Sequence, residues 1–180
     1  LRTRAFERRQ VTLASRKPSS FYIDCKQVTL SARGHLLVGR LLFESVRDYE
    51  TRTGRVVTGV GGLTLGADPI ASAVSLTSEL ADHPIPAFIV RKEPKKHGTA
   101  QYLEGTGNLQ PGAEVVILED VVTTGDSAGK AVTRVRDAGY VVRFVVGLVD
   151  RLEGGRDHLE QLGLELVTLY DRRDFMPEEQ

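Results

Sequence analysis

An unbroken run of apolar residues leads directly into two acids and then into a loop of hydroxyl residues and glycine, VVILEDVVTTGDS, at residues 115–127. Backbone N–H groups at a helix start, together with hydroxyl side chains and a glycine that permits close approach, suit a phosphate. Glu119 and Asp120 suit a sugar, because an ionised acid accepts hydrogen bonds from both hydroxyls of a vicinal diol. The stretch therefore predicts a site for a ribose 5-phosphate.

A purely structural explanation fits the same residues about equally well when spacing alone is considered. In that interpretation Glu119 and Asp120 are solvated loop acids, and Asp126 or Ser127 only caps the N-terminus of a helix. Asp126 is an unusual residue in a loop meant for an anion, and we expect its side chain to turn outward.

A second chemically unusual segment is RKEPKKHG at residues 91–98. It places four cations against one acid, a local charge of +3, in a chain whose 24 basic and 24 acidic residues cancel. Taken alone, such a run is more often a solvated surface patch than an anion site. The long, aperiodic stretch around it, residues 94–112, is predicted to be a loop, and loops of that length are usually functional or mobile.

The hydrophobic pattern places both segments at the ends of strands. From Arg55 onward strand and helix patterns alternate, and the strands are continuous apolar runs, which is typical of a parallel sheet covered on both faces. The predicted strands cover residues 55–60, 85–93, 113–121, 140–151 and 164–171, and the predicted helices cover residues 34–54, 67–84, 126–139 and 156–163. The predicted fold is a doubly wound α/β sheet, in which ligands bind beyond the carboxyl ends of the strands.

Length and composition favour a single domain over residues 1–180, because 180 residues with 41% hydrophobic and 27% charged residues form an ordinary globular chain. The α/β core is expected at residues 55–170. Residues 1–30 do not join the alternation and are predicted to form a small N-terminal hood, with a strand or hairpin at residues 21–30. Residues 171–180 are predicted to be a polar tail.

Charge and cysteine content argue against several classes of partner. A formal net charge of zero gives no global field that would recruit nucleic acid or an anionic membrane, so neither partner is expected. No run of 18 apolar residues is present to span a bilayer. Cys25 is the single cysteine, which rules out an internal disulfide, favours a reducing compartment and predicts a cytoplasmic protein.

Residues 115–127 resemble the phosphoribosyl diphosphate (PRPP) motif of type I phosphoribosyltransferases through 13 consecutive positions. Three more segments resemble the orotate phosphoribosyltransferase family in the same order: SSFYIDCKQVTL (19–30), GGLTLGADPIASAV (61–74) and RKEPKKHGTAQYLEG (91–105). The resemblance covers residues 11–151. It implies the type I phosphoribosyltransferase fold and transfer of a phosphoribosyl group from PRPP to orotate, which gives orotidine 5-phosphate and diphosphate in pyrimidine (UMP) biosynthesis.

The resemblance assigns PRPP contacts to both unusual segments. The implied residues are Arg91, Lys92, Lys95, His97, Glu119, Asp120, Val121, Val122, Thr123, Thr124, Gly125, Asp126 and Ser127. The implied catalytic residues among them are Lys92, His97, Glu119 and Asp120. The acids would hold the sugar of an oxocarbenium-like transition state, and the cations with Mg²⁺ would hold the departing diphosphate. The Mg²⁺ would be bound mainly by PRPP oxygens and water, since no carboxylate cage is visible.

The resemblance also assigns orotate contacts to Thr123 and Arg151. An arginine fork can hold the carboxylate of orotate in two parallel hydrogen bonds. Phe21 and Tyr22 could pack on the base or in the core. The resemblance also has Lys92 and His97 reaching into the site of a neighbouring subunit, which implies a homodimer with shared active sites.

The chain departs from the family pattern in two places. Some members carry a Tyr-Lys pair where this chain has Leu65-Gly66, so the loop containing Gly61-Gly62 would act through backbone amides alone. Many members have a lysine where this chain has Ala14, and either Arg16 or Lys17 could replace it. Two alternatives remain open: transfer to another base, such as a purine, and a PRPP-binding regulator without catalysis.

Overall fold

The computed structural model describes residues 1–12, 18–94 and 102–176. The strands are β1 (Phe6–Thr12), β2 (Pro18–Ile23), β3 (Val60–Leu63), β4 (Ala87–Val90), β5 (Leu103–Glu104), β6 (Glu114–Val122), β7 (Val141–Asp150) and β8 (Glu165–Asp171). The helices are α1 (Lys26–Thr29), α2 (Ala32–Thr53), α3 (Ala67–Leu80), α4 (Asp126–Asp137), α5 (Gly155–Gln161) and α6 (Arg172–Phe175), with a 3₁₀ turn at Thr106–Asn108. Among the described residues, no helix has the length and apolar character needed to cross a bilayer.

Six strands form the central sheet in the order β5-β4-β3-β6-β7-β8. All neighbouring pairs are parallel except β4 and β5, which are antiparallel. The chain runs outward from β3 to β4 on one side and from β6 through β7 to β8 on the other, so the strand order reverses between β3 and β6. The predicted doubly wound α/β fold is confirmed, and this point of reversal is where such sheets bind ligands.

Helices cover both faces of the sheet, which explains the continuous apolar strands. On β6, Val116 and Leu118 join the core under α2 and α3, while Val115 and Ile117 join the core under α4 and α5. Successive side chains of a strand point to opposite faces, so a strand buried on both sides needs an apolar residue at every position. The core therefore fixes β6 from both directions up to its carboxyl end.

The predicted position of the third strand is wrong. The structure places β3 at Val60–Leu63 instead of residues 55–60, so Gly61 and Gly62 lie inside a strand and do not form a loop. A Cβ at Gly61 would lie 2.3 Å from the carbonyl oxygen of Phe88, and one at Gly62 would lie 2.2 Å from that of Leu118. These glycines allow the neighbouring strands to approach, which is a packing role, and the anion-binding role expected of their backbone amides stays a prediction.

The two ends of the chain form more helix than predicted. The strand expected over residues 21–30 ends at Ile23 and is followed by α1. The expected polar tail begins with α6, whose Phe175 is 6% exposed and lies 5.8 Å from the Phe21 ring, centroid to centroid. The predicted hood is present as a separate two-stranded antiparallel sheet of β1 and β2. An aromatic cluster therefore attaches the hood to the end of the described chain.

Candidate active site

A groove of about 580 Å³ lies at the carboxyl end of β6. It is lined by Ile23, Glu119, Asp120, Val121, Val122, Thr123, Thr124, Gly125, Asp126, Ser127, Ala128, Lys130 and Arg151. The structure thus brings together the nine motif residues predicted to bind PRPP and the arginine predicted to bind orotate. Ile23 belongs to β2, so the hood contributes one wall of the same groove.

The loop between β6 and α4 leaves the first amides of α4 available to an anion. The residue before the helix is Gly125, with φ of 81°, and a Cβ there would lie 3.0 Å from the carbonyl oxygen of Gly155. Asp126 is exposed and is the first helical residue, so it complements the helix dipole but does not cap the helix. The alternative that Asp126 or Ser127 serves as the N-cap is therefore wrong. Asp126 also lines the groove, so the outward orientation expected for its side chain stays a prediction.

Glu119 is a buried acid at the end of β6, only 6% exposed. Burial raises its pKa well above the ordinary value of 4.5, the neighbouring Asp120 raises it further, and the positive charge of Lys92 opposes the shift. Its Oε2 has no hydrogen-bond partner among the described residues. Glu119 therefore binds a proton more tightly than an exposed glutamate, so it can donate a hydrogen bond to a sugar oxygen as well as accept one.

The carboxylate of Asp120 accepts one backbone hydrogen bond and lies close to a second element. Its Oδ1 accepts a 2.9 Å hydrogen bond from the N–H of Val121. The same oxygen lies so close to Gly66, the residue before α3, that a Cβ there would be 2.4 Å away. Beneath it, the buried thiol of Cys25 lies 3.7 Å from the Asp120 carbonyl oxygen, and burial raises the pKa of that thiol. A buried thiol with a raised pKa is a poor nucleophile.

The basic segment is described from Arg91 to Pro94. Arg91 donates from Nη1 to Glu104 Oε1 at 3.1 Å, and its N–H donates to the carbonyl of Tyr102 at 2.8 Å. Lys92 is exposed, and its positive charge opposes the rise in the pKa of Glu119 in the same chain, so its ammonium lies within electrostatic reach of Glu119. The resemblance places Lys92 in a neighbouring subunit's site, whereas the structure brings it near the groove of its own chain. Two further predicted PRPP ligands, Lys95 and His97, lie outside the described residues.

Arg151 is 6% exposed and connects the groove to the hood. Its Nη2 donates to the carbonyl of Phe21 at 2.9 Å and pairs with Glu153 Oε1 at 3.1 Å, and its guanidinium lies 5.2 Å from the Phe21 ring centroid. Phe21 is fully buried among other aromatic rings, so of the two roles left open for it the structure supports the core. Tyr22 is half-buried.

Sequence reasoning missed two residues at this site. Lys130 lines the groove from α4, four residues after Asp126, and this helical spacing puts both on one face of the helix. Gly66 touches the carboxylate of Asp120, although the two residues are far apart in sequence. The spacing could have identified Lys130. Nothing in the sequence could have identified the contact of Gly66, because it depends on how β3 and β6 are paired.

Comparison with known proteins gives close relatives along almost the whole chain. An orotate phosphoribosyltransferase from Sorangium cellulosum is 50% identical over 178 residues, covering 99% of this chain and 90% of that protein. One from Nostoc is 50% identical over 170 residues, covering 94% of this chain and 79% of that protein. No family model matches the chain.

Solved structures give the same result. Orotate phosphoribosyltransferase from Mycobacterium tuberculosis in complex with PRPP has a TM-score of 0.76 at 36% identity, covering 97% of this chain and 93% of that one. An adenine phosphoribosyltransferase from Thermoanaerobacter pseudethanolicus, with a TM-score of 0.66, is 18% identical and shares the fold alone. Identity near one half over almost all of the sequence, combined with this fold, shows that the chain belongs to the orotate phosphoribosyltransferase family.

Proposed function

We propose that this chain transfers the phosphoribosyl group of PRPP to orotate in the groove at the carboxyl end of β6, forming orotidine 5-phosphate and releasing diphosphate. The observation that carries the proposal is the composition of that groove. Its lining includes every residue from Glu119 to Ser127 together with Arg151, so the residues suited to a sugar, a phosphate and a carboxylated base share one cavity.

The end of β6 and the start of α4 bind the ribose 5-phosphate. The first amides of α4, with the hydroxyls of Thr123 and Thr124, hold the phosphate, since a helix start attracts anions. Asp120 accepts hydrogen bonds from the ribose hydroxyls, and Glu119 contributes a proton donor or acceptor from its buried position.

The reaction itself needs no covalent nucleophile from the protein. Orotate attacks C1 as its nitrogen anion, and the C1–O bond to diphosphate breaks through an oxocarbenium-like transition state. Lys92, with Arg91, Lys95 and His97 from the same segment, stabilises the negative charge that develops on the departing diphosphate. The charge of Lys92 already acts on Glu119 in the free protein, which supports a place at the groove.

The described residues suit a magnesium ion that arrives with the substrate. They contain no group of three or more His, Cys, Asp or Glu side chains that could hold a metal. Mg²⁺ keeps several waters and readily binds substrate phosphates, so it would be held mainly by the diphosphate, with Glu119 and Asp120 near it. When bound, it neutralises charge on the diphosphate.

Orotate binds between the hood and Arg151. The guanidinium of Arg151 is oriented by the Phe21 carbonyl and by Glu153 at the edge of the groove, which suits a guanidinium that binds the orotate carboxylate. Thr123, which also lines the groove, supplies a hydroxyl to the base. We place the reaction in pyrimidine biosynthesis in the cytoplasm.

A homodimer is part of the proposal. Five leucines on α2 and α3, two helices that pack against each other, are well exposed: Leu36, Leu37, Leu41, Leu76 and Leu80. Several exposed leucines on two adjacent helices suit a protein–protein interface. A partner there could bring its own His97 to this groove. Mixing two inactive variants, Asp120→Asn and His97→Ala, should restore activity if sites are shared, and no recovery would contradict sharing.

The function is tested by following orotate consumption in the ultraviolet with PRPP and Mg²⁺ present. We expect turnover of orotate and no comparable turnover of adenine, guanine or uracil. Activity on a purine without activity on orotate would replace the proposed substrate. PRPP binding without turnover of any base would instead support a regulator.

A further inference from the structure

A single arginine on α4 contacts the chain on both sides of residues 95–101: the outgoing arm at residues 91–92 and the returning arm at Tyr102. Arg134 donates from Nη1 to the carbonyl of Arg91 at 2.6 Å and from Nη2 to the carbonyl of Lys92 at 3.1 Å. Its guanidinium also lies over the Tyr102 ring, 4.1 Å from the centroid. The outgoing arm is therefore held by two hydrogen bonds and the returning arm by a cation–π contact with the same side chain.

These contacts begin where the sheet ends. The pairing of β4 with β5 stops at Val90 and Leu103, and one more backbone hydrogen bond joins Arg91 to Tyr102. Lys92 follows this last backbone hydrogen bond between the two segments. A planar fork that donates to two successive carbonyls fixes the direction of the intervening peptide, which a single flexible donor cannot do. Arg134 thus fixes the position of the backbone beyond the end of the sheet, up to Lys92.

The helix that carries Arg134 is itself part of the groove. The first turn of α4 lines the groove at Asp126 and Ser127, and Val132 and Val135 anchor the helix in the core. Arg134 lies eight residues beyond Asp126, a separation of about 12 Å along a helix. One rigid element therefore connects the phosphate-binding end of the groove to the backbone of Lys92.

We infer that Arg134 is a positioning residue, which sets the place of Lys92 relative to the phosphate-binding end of α4. The inference rests on the role proposed above for Lys92. Arg134 itself touches no substrate in this account, and its effect on the reaction is transmitted through the backbone of Lys92.

The test is a double-mutant cycle read out as kcat for orotate consumption. Arg134→Ala should lower kcat roughly 10- to 100-fold, because a misplacement of about 1 Å at a reacting group costs up to about 100-fold. The KM for PRPP should change less. In a Lys92→Ala background, adding Arg134→Ala should change kcat less than about 3-fold, because residues that act through one another are not additive.

The same helix offers a matched control. Arg136 also donates to two backbone carbonyls, those of Leu162 at 3.2 Å and Val142 at 2.7 Å, and it does not line the groove. Arg136→Ala should lower the melting temperature about as much as Arg134→Ala and leave kcat unchanged. Arg134→Lys should recover only part of the lost rate, since an ammonium cannot make the fork; if Arg134→Ala fails to fold, Arg134→Lys serves in the cycle instead.

The outcomes separate the inference from the function on which it rests. The positioning role would be overturned if Arg134→Ala lowered kcat by the same factor in the wild-type and Lys92→Ala backgrounds. It would also be overturned if Arg136→Ala lowered kcat as much as Arg134→Ala does. An unchanged kcat in Arg134→Ala beside a slow Lys92→Ala would overturn it too, and would leave the proposed function standing. A Lys92→Ala variant as fast as wild type would overturn the proposed role of Lys92, and the inference with it.

Discussion

The carboxyl ends of β6 and β4 lie on the same edge of one sheet but hold their charged residues in different ways. Glu119, near the carboxyl end of β6, is 6% exposed and belongs to a strand that is buried on both faces. Lys92, just past β4, is exposed and is attached through its carbonyl to Arg134. The difference matches the proposed reaction. The ribose and its phosphate meet a rigid end of the core, while the departing diphosphate meets residues outside the sheet.

The difference between the two strand ends predicts separate effects on substrate binding and on the rate of the chemical step. Side chains fixed at the end of β6 define the geometry in which a substrate is held. Side chains beyond the end of β4 can change their contacts as charge develops on the leaving group. Changes at the end of β6 should therefore remove productive binding of the sugar. Changes past β4 should slow the chemical step with a smaller effect on PRPP affinity.

The largest effect is expected at Asp120. Asp120→Asn should lower kcat/KM about 100- to 1000-fold, the range found when one preorganised polar contact to a reacting group is lost. The neutral amide can still accept the hydrogen bond from Val121, so the fold should persist. The exposed Asp137, at the other end of α4 and outside the groove lining, is the matched control, and Asp137→Asn should cost less than about 3-fold by the usual tolerance of surface changes. Equal losses in the two variants would contradict the assigned roles.

Lys92 tests the other side of the comparison. Lys92→Ala should lower kcat about 100-fold, since it removes a cation that stabilises the leaving group, while the Kd for PRPP changes by less than about 10-fold. Single-turnover rates and PRPP titrations measure the two quantities separately. A loss confined to PRPP affinity would place Lys92 among binding residues and would remove the distinction between the two strand ends.

A smaller effect is expected from Gly66. Gly66→Ala would put a Cβ 2.4 Å from Asp120 Oδ1, so the carboxylate must move. We expect kcat/KM to fall roughly 10-fold, with less loss of stability than a change in the core causes. Gly107→Ala is the control, because no atom lies within 4 Å of a Cβ at that exposed position. Full activity of the Gly66 variant would show that the placement of Asp120 is not critical.

The pH dependence of folding tests the burial of Glu119. Its native pKa lies well above 4.5, so the native state keeps a proton that the unfolded state has lost, and the free energy of unfolding must fall as pH rises between the two values. Urea unfolding of wild type and Glu119→Gln at pH 5 and pH 8 measures this. Wild type should lose more stability than the variant over this interval, because only wild type has the raised pKa of Glu119. Identical pH dependence would mean that Glu119 is not effectively buried.

Much of the fold could be read from the sequence because its strands are buried on both faces. The continuous apolar runs predicted the order of alternating strands and helices, and the structure confirms it from β4 to β8 apart from the short β5. The errors fall where the local pattern is misleading. The apolar residues at 56–57 suggested a strand, but the strand forms at the glycines that follow, because only residues without a side chain fit between Phe88 and Leu118.

The sequence alone determined the chemistry of the groove, because the acids, the Thr-Thr-Gly loop and the helix start at residues 119–127 are contiguous and fold locally. Tertiary structure decided everything that depends on distant segments. It buried Glu119 and raised its pKa, set Asp120 against Gly66, tied Arg151 to the hood through Phe21, and joined Arg134 to Lys92. These contacts follow from how strands pair and helices pack, and no spacing within one segment encodes them.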